Sequence, residues 1–388
     1  METAARAERP TGYRDPKRYL WLWSLAVPAL PLMGGLLAWL TGSGLWQWWT
    51  PLVFYVAVPL LDVLRGEDRH NLPESAVPTL ESDPYYRRAV YAFLPVQFLG
   101  FFGGAWIVGT GQLPLWQALG VAVSVGLVNG VGINTAHELG HKKTRLERWL
   151  AKVALAPVAY GHFYVEHNRG HHVRVATPAD PASARYGESF YRFWPRTVAG
   201  SWRSAWELER RRLSRGGHGV WSPRNDILQA LAMTVLLYAA VIALFGPLTV
   251  PFLLIQAVIG FSELEVVNYL EHYGLARRRL DSGRYERVSP EHSWNSNHIV
   301  TNIVLYHLQR HSDHHANPTR RYQALRHYDV SPQLPAGYAA MILLALIPPL
   351  WRRVMDKRVR AHYGGDLDRA NLDPRLRPHV AAGERSTA

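Results

Sequence analysis

Six apolar runs, each close to the length that carries a helix across a bilayer, constrain this chain more than any other feature. They fall at about 19–40, 45–64, 89–109, 114–134, 227–245 and 247–270. A bilayer core needs about 20 helical residues rising roughly 1.5 Å each. A soluble helix would carry a polar face at helical spacing, and these runs have almost none. The links Thr41-Gly42-Ser43-Gly44 and Thr110-Gly111-Gln112-Leu113, and the single Gly246, allow only tight turns. The runs therefore pair as three helical hairpins. Averaged over 388 residues the chain looks unremarkable, 48% hydrophobic and 19% charged, because its Lys and Arg are all segregated outside the runs.

Lys and Arg total 43 against 30 Asp and Glu, for a net +13. The hairpin links hold none of them. Arg6, Arg9, Arg14, Lys17 and Arg18 precede the first run, and Arg65, Arg69, Arg87 and Arg88 stand between the second and third. The rest lie in 135–226 or after Tyr269. The positive-inside rule then places both termini and the segments 65–88, 135–226 and 271–364 in the cytoplasm. The expected fold is an all-α integral membrane protein, six transmembrane helices in three hairpins beneath a cytoplasmic, histidine-rich helical cap. We expect an N-terminal arm (1–18), one membrane domain (19–364) and a polar tail (365–388), after which a further domain could follow. The late first run, followed at once by a second, argues against a cleaved leader. Positive charge flanking the spans suits anionic headgroups rather than nucleic acid. The absence of cysteine excludes disulfides, iron–sulfur clusters and thiolate ligation.

The 18 histidines are clustered. The fourth run leads into His137-Glu138-Leu139-Gly140-His141. His167-Asn168-Arg169-Gly170-His171-His172 lies in the following segment. The sixth run ends in Asn268-Tyr269-Leu270-Glu271-His272-Tyr273-Gly274, and His311-Ser312-Asp313-His314-His315 follows. Residues four apart share a helix face, so His137 with His141, His167 with His171, and His311 with His315 should form pincers. His172, turned about 100° from His171, could reach a second metal. Neutral imidazoles converge in an apolar setting only around a cation, and these nine exceed the four to six ligands one ion takes. Two metals are expected.

Glu138, Glu166, Glu271 and Asp313 each adjoin a cluster and are candidates to hold the far ring nitrogen of a ligand. His292 and His298 flank the polar run Ser293-Trp294-Asn295-Ser296-Asn297 and could line the same site. HELGH is also a zinc-protease signature with Glu138 as base, but that chemistry uses two of the histidines and leaves seven unexplained. A metal transporter would want ionisable ligands near the bilayer midplane, where only Glu263 and Glu265 come close.

HELGHK, EHNRGHH, NYLEHYG and LQRHSDHH, in this order and spacing, resemble the integral-membrane non-haem di-iron alkane monooxygenases of the membrane desaturase and hydroxylase superfamily. The resemblance extends from about residue 15 through all six runs. The NYLEHYG element marks the hydroxylase branch; HSWNSNH and ANPTRRYQALRH narrow it to alkane hydroxylases. It implies that the nine histidines hold two irons and that the enzyme hydroxylates n-alkanes terminally. Alkane, dioxygen, two electrons and two protons give a 1-alkanol and water. It also implies rubredoxin, itself reduced by rubredoxin reductase, as electron donor, and residence in the bacterial inner membrane. Self-association, chain-length range and the division of ligands between irons stay open. A fatty acyl desaturase or hydroxylase with the same site is the competing reading.

Terminal C–H bonds are the stronger ones, so end-selectivity calls for a narrow apolar channel that admits only the chain tip. Ile133 lies four residues before His137 and Leu264 eight before His272, on the same sides, while Phe54 is bulky and mid-span. These three are the expected lining. An acidic donor would be attracted by a face rich in Arg, including Arg203, Arg210, Arg211 and Arg212.

Overall fold

The computed structural model describes residues 12–376. Among them the architecture is all helical, with only isolated bridges in place of a sheet. Six helices are long and apolar enough to cross a membrane: α1 (Leu20–Thr41), α2 (Gly44–Arg65), α3 (Pro84–Gly109), α4 (Leu115–Gly140), α7 (Asp226–Phe245) and α8 (Thr249–His272). Between them α5 (Arg145–Leu155) and α6 (Phe190–Arg215) belong to the cap. After them come α9 (His311–Ala316), α10 (Tyr338–Ala345) and α11 (Pro348–His362). The last two are bent by 119°, and α11 carries Arg352, Arg353, Lys357 and Arg358, so the pair caps the bundle rather than crossing it straight.

Helix starts follow local chemistry. The Asp83 carboxylate accepts from the Tyr85 amide at 2.8 Å and Pro84 occupies the first turn of α3. Asn225 caps α7 by accepting from the amides of Ile227 and Leu228. Both α4 and α8 run past the ends of their apolar stretches, which carries His137 and His272 out on rigid helix.

The centre of the bundle is α4 against α8. A methyl on Gly130 would stand 2.7 Å from Glu263 Cβ, so only glycine permits this approach. A polar ladder crosses the apolar interior. Gln97 Nε2 donates to Asn129 Oδ1 at 3.0 Å, and Asn129 Nδ2 donates to Gln256 Oε1 at 2.8 Å. Gln256 Nε2 then donates to the Pro157 carbonyl. Away from water each unmet amide would be costly, so the ladder fixes the register of α3, α4 and α8.

Both chain ends dock where they are described. Residues 365–376, expected as the start of a polar tail, pack onto the cap. The Tyr186 amide donates to the Asn371 carbonyl at 2.7 Å, and Arg192 pairs with Asp373 at 2.6 Å. The part of that tail after residue 376 lies outside the described residues, as do Arg6 and Arg9. The arm docks as well. Lys17 reaches Asp68 at 2.7 Å, and Trp21 Nε1 donates to Asp15 at 3.0 Å. Composition marked these ends as polar, but paired polar groups can be as well ordered as apolar ones.

Candidate metal centre and its apolar cavity

Four segments deliver nine imidazoles to one place. His137 rides on the last turns of α4 and His141 caps it; His272 ends α8. His167–His171 form one turn of π-helix between short α-helical turns, and α9 supplies His311, His314 and His315. The rings gather into two groups, His137, His141, His167, His172 and His314 in one and His171, His272, His311 and His315 in the other. Within each, one nitrogen per ring lies within 4.8 Å of all the others.

This division departs from the expected pincers in one segment. His137 and His141 share a group, as do His311 and His315, but His167 joins His172 rather than His171. The cause is the π-turn, whose extra residue brings positions five apart onto one face. His167 and His172 Nε2 stand 3.1 Å apart, while His171 turns to the other group.

The donor set fits two cations. In the first group His137 and His314 bring their Nε2 atoms to 2.8 Å, His172 and His314 to 3.0 Å. In the second, His311 and His315 do so at 2.9 Å, His272 and His311 at 3.2 Å, and His171 and His315 at 3.3 Å. His171 Nδ1 is held by Asp180 Oδ2 at 3.0 Å and His272 Nδ1 by the His292 carbonyl at 3.1 Å. A neutral ring whose proton sits on Nδ1 has a bare lone pair on Nε2. The inward nitrogens of His171 and His272 are thus lone pairs, and buried His141 Nε2 has no hydrogen-bond partner. Burial, reinforced by neighbouring imidazoles, pushes His141, His167, His172, His311, His314 and His315 well below the ordinary imidazole pKa. They are neutral at pH 7, the form that ligates metal.

Of the four acids expected to support the ligands, only Glu271 meets a histidine. Its Oε1 lies 3.2 Å from His311 Nδ1 and accepts from Tyr338 Oη. Glu138 instead pairs with Lys142 at 3.1 Å, Glu166 with Arg174 at 2.6 Å, and Asp313 with Arg320 at 3.0 Å. Each is adjacent to a ligand in sequence, and on a helix the adjacent residue points elsewhere. Glu138 is thereby also turned from the position a protease base would need. His292 contributes its carbonyl rather than its ring, which pairs with Glu286, and His298 bonds Ser296. Asp180 is the acid that sequence reasoning missed. Burial would raise its carboxyl, but His171 and Ser183 outweigh this and hold it at about 2. Its only sequence signal is an acid within a loop of small residues, Thr177-Pro178-Ala179-Asp180-Pro181-Ala182-Ser183.

Below the histidines a cavity of about 800 Å³ descends between the spans. His137, His167 and His311 face it from the cap end; Leu30, Met33 and Trp49 line it far down. Phe54 and Leu264 line it. Ile133 does not: it is fully buried in the core, packed beside the cavity rather than facing it. The cavity side of α4 is marked by Gly130, Val131 and Asn134, a stripe centred roughly 100° around the helix from Ile133. Trp23, Met33 and Leu61 also line the cavity while being 65%, 43% and 44% exposed, so its wall reaches the outer surface of the bundle.

A bundle of six membrane-length helices with two all-histidine groups able to hold metal ions, above a largely apolar cavity, has the frame of an integral-membrane metalloprotein. A profile of the family described as fatty acid desaturase matches residues 114–345. The chain is 51% identical over 366 residues to an alkane 1-monooxygenase of Ectopseudomonas oleovorans, covering 94% of this chain and 91% of that one. It is 49% identical, with the same coverage, to alkane 1-monooxygenase 1 of Alcanivorax borkumensis. The hydroxylase component XylM of a Pseudomonas putida xylene/toluene monooxygenase is 29% identical over 81% of this chain. The chain belongs to the alkane 1-monooxygenases of the fatty acid desaturase family.

Proposed function

We propose that the protein hydroxylates the terminal methyl of n-alkanes, using dioxygen and two electrons from rubredoxin at two irons held by the five- and four-histidine groups. The observation that carries this reading is the convergence of neutral, inward-facing imidazoles at the head of a largely apolar cavity. When bound there, the irons supply the activation of dioxygen that an unactivated C–H bond demands.

The chain's own residues do the rest. Asp180 and the His292 carbonyl keep the protons of His171 and His272 on Nδ1, leaving Nε2 free to ligate. Leu264, Val267 and Val131 wall the upper cavity, so an extended chain presents its tip to the cap. Selectivity for the stronger terminal bond then comes from position, not reactivity.

Electrons arrive from outside, since the sequence has neither cysteine nor a nucleotide fingerprint. An acidic donor suits a chain of net charge +13. Arg210, Arg211 and Arg212 are poor candidates for that contact, because Glu207 and Glu209 already pair with them. The distribution of Lys and Arg supports the inner membrane, with the cap and both termini in the cytoplasm.

Metal content by elemental mass spectrometry, on detergent-purified protein without added metal, is the first test. About two irons per chain, with labelled oxygen appearing in 1-alkanol when reduced rubredoxin is supplied, is the expected result. Zinc that ferrous iron cannot replace, or an olefin as product, would overturn it.

A further inference from the structure

Apart from Tyr338 and Glu271, which adjoin the ligand His311, the cavity wall carries a polar pair for which an alkane has no use. Tyr55 Oη in α2 donates to Glu263 Oε1 in α8 at 2.5 Å, and both residues line the cavity. Among the described residues this is the only hydrogen bond either side chain makes, so Glu263 Oε2 has no partner. Glu265, two residues on, faces away from the cavity and is fully engaged: Tyr160 donates to one oxygen at 2.7 Å and Thr197 to the other at 2.8 Å. A half-satisfied carboxyl in a hydrocarbon-lined space is costly, and intramembrane ionisable groups are retained for function. The pair is not needed to anchor α2, since Asp62 already ties that helix to the Thr301 amide at 3.0 Å. It also sits on a feature of its own: Tyr55 lies within a π-helical turn, Val53–Ala57, that interrupts the span.

We infer that Tyr55 and Glu263 form a hydroxyl-binding subsite, which holds the polar end of a medium-chain primary alkanol while its methyl end meets the metal centre. The inference rests on the proposed hydroxylation at that centre. A hydroxyl both donates and accepts, so it pairs with Glu263 Oε2 whether the carboxyl is ionised or protonated, and Tyr55 need not move. Glu263 precedes His272 by nine residues on one helix, roughly 13 Å along its axis. Allowing for the hydrogen bond at one end and contact at the other, this leaves room for an extended chain of roughly five to seven carbons at about 1.2 Å per bond. The reaction balances as for an alkane. One C–H bond of the methyl is broken and a C–O bond formed with one oxygen atom of dioxygen. The other oxygen leaves as water with two protons and the donor's two electrons, and the product is an α,ω-diol.

A fixed hydroxyl site makes alkanol length matter in a way that alkane length does not, because an alkane can slide past the pair toward Trp49 and Met33. The test uses the iron-loaded enzyme in lipid vesicles with reduced rubredoxin. A series of 1-alkanols bracketing that window competes with one n-alkane, and diol and alkanol products are quantified. A single sharp maximum of diol formation at an intermediate length is expected, with no matching peak among alkanes of the same carbon number. Glu263→Leu should lower the specificity ratio, alkanol over alkane, about tenfold, the loss of one hydrogen bond of about 1.4 kcal/mol. Glu263→Gln, which keeps acceptor and donor capacity, should recover most of it. An alkanol profile that follows the alkane profile in the wild type, or a ratio unmoved by Glu263→Leu, would overturn the subsite alone. Failure of the wild type to hydroxylate the alkane would overturn the reading beneath it as well.

Discussion

His167 and His172 stand five residues apart, yet bring their Nε2 atoms to 3.1 Å, while His171 belongs with His315 across the site. One π-turn thus feeds both histidine groups from a single short segment. Metal stoichiometry should report that division. His272→Ala and His315→Ala should each remove about one metal per chain, and the double variant no more. His171→Ala with His172→Ala, though the residues are adjacent, should remove both. Loss of two metals in the first double variant would disprove the division.

Asp180 holds His171 from a loop nine residues further on. Removing such an outer carboxylate commonly costs about 10- to 100-fold in metal affinity or activity. Asp180→Asn should fall in that range, measured as metal retained on dialysis against a chelator. Glu138→Gln should retain metal far better, because Glu138 faces Lys142 rather than a ligand.

Phe54 projects into the cavity and Ile133 does not. Phe54→Ala should shift the product profile toward longer alkanols. Ile133→Ala should leave the profile in place and instead cost about 2–5 kcal/mol of stability through its cavity in the core. Matching shifts in the two variants would mean that chain length is read by bundle packing at large.

Glu147, buried in α5, joins the segment after His141 to the segment after His315 through Arg321 at 2.9 Å. Burial opposes its ionisation, but the Thr144 hydroxyl and the paired Arg321 guanidinium prevail and hold its pKa below the usual carboxylate value. Its contribution is therefore complete above the unfolded pKa and is lost as pH falls through the depressed folded one. Thermal midpoints of wild type and Glu147→Gln should differ most at neutral pH and converge on acidification below about pH 4. A gap independent of pH would show that the carboxylate charge is not what matters.

The spans and the nine histidines were legible because each rests on a short-range pattern, apolar length in one case and clustering in the other. The grouping of the histidines was not, since four-residue spacing assumes α-helix and the 167–171 turn is π. The supporting acids misled for a related reason: Glu138, Glu166 and Asp313 are neighbours of ligands along the chain, not in space. Asp180 and the docked 365–376 segment depend on loop closure over long sequence separations, and no periodicity records that. Ile133 shows the limit of angular reasoning on a single helix. The helix fixes which residues share a face, but its neighbours decide which face looks into the cavity.

The exposed positions of Trp23, Met33 and Leu61 along the cavity wall have a kinetic corollary. A substrate that enters through them comes from the lipid and never passes through bulk water. The concentration the enzyme senses is then a mole fraction in the bilayer. Adding empty vesicles at fixed total alkane should dilute the substrate and slow turnover, although nothing in the aqueous phase has changed. An apparent KM in moles per litre would describe the assay tube, while the same data plotted per mole of lipid would collapse onto one curve.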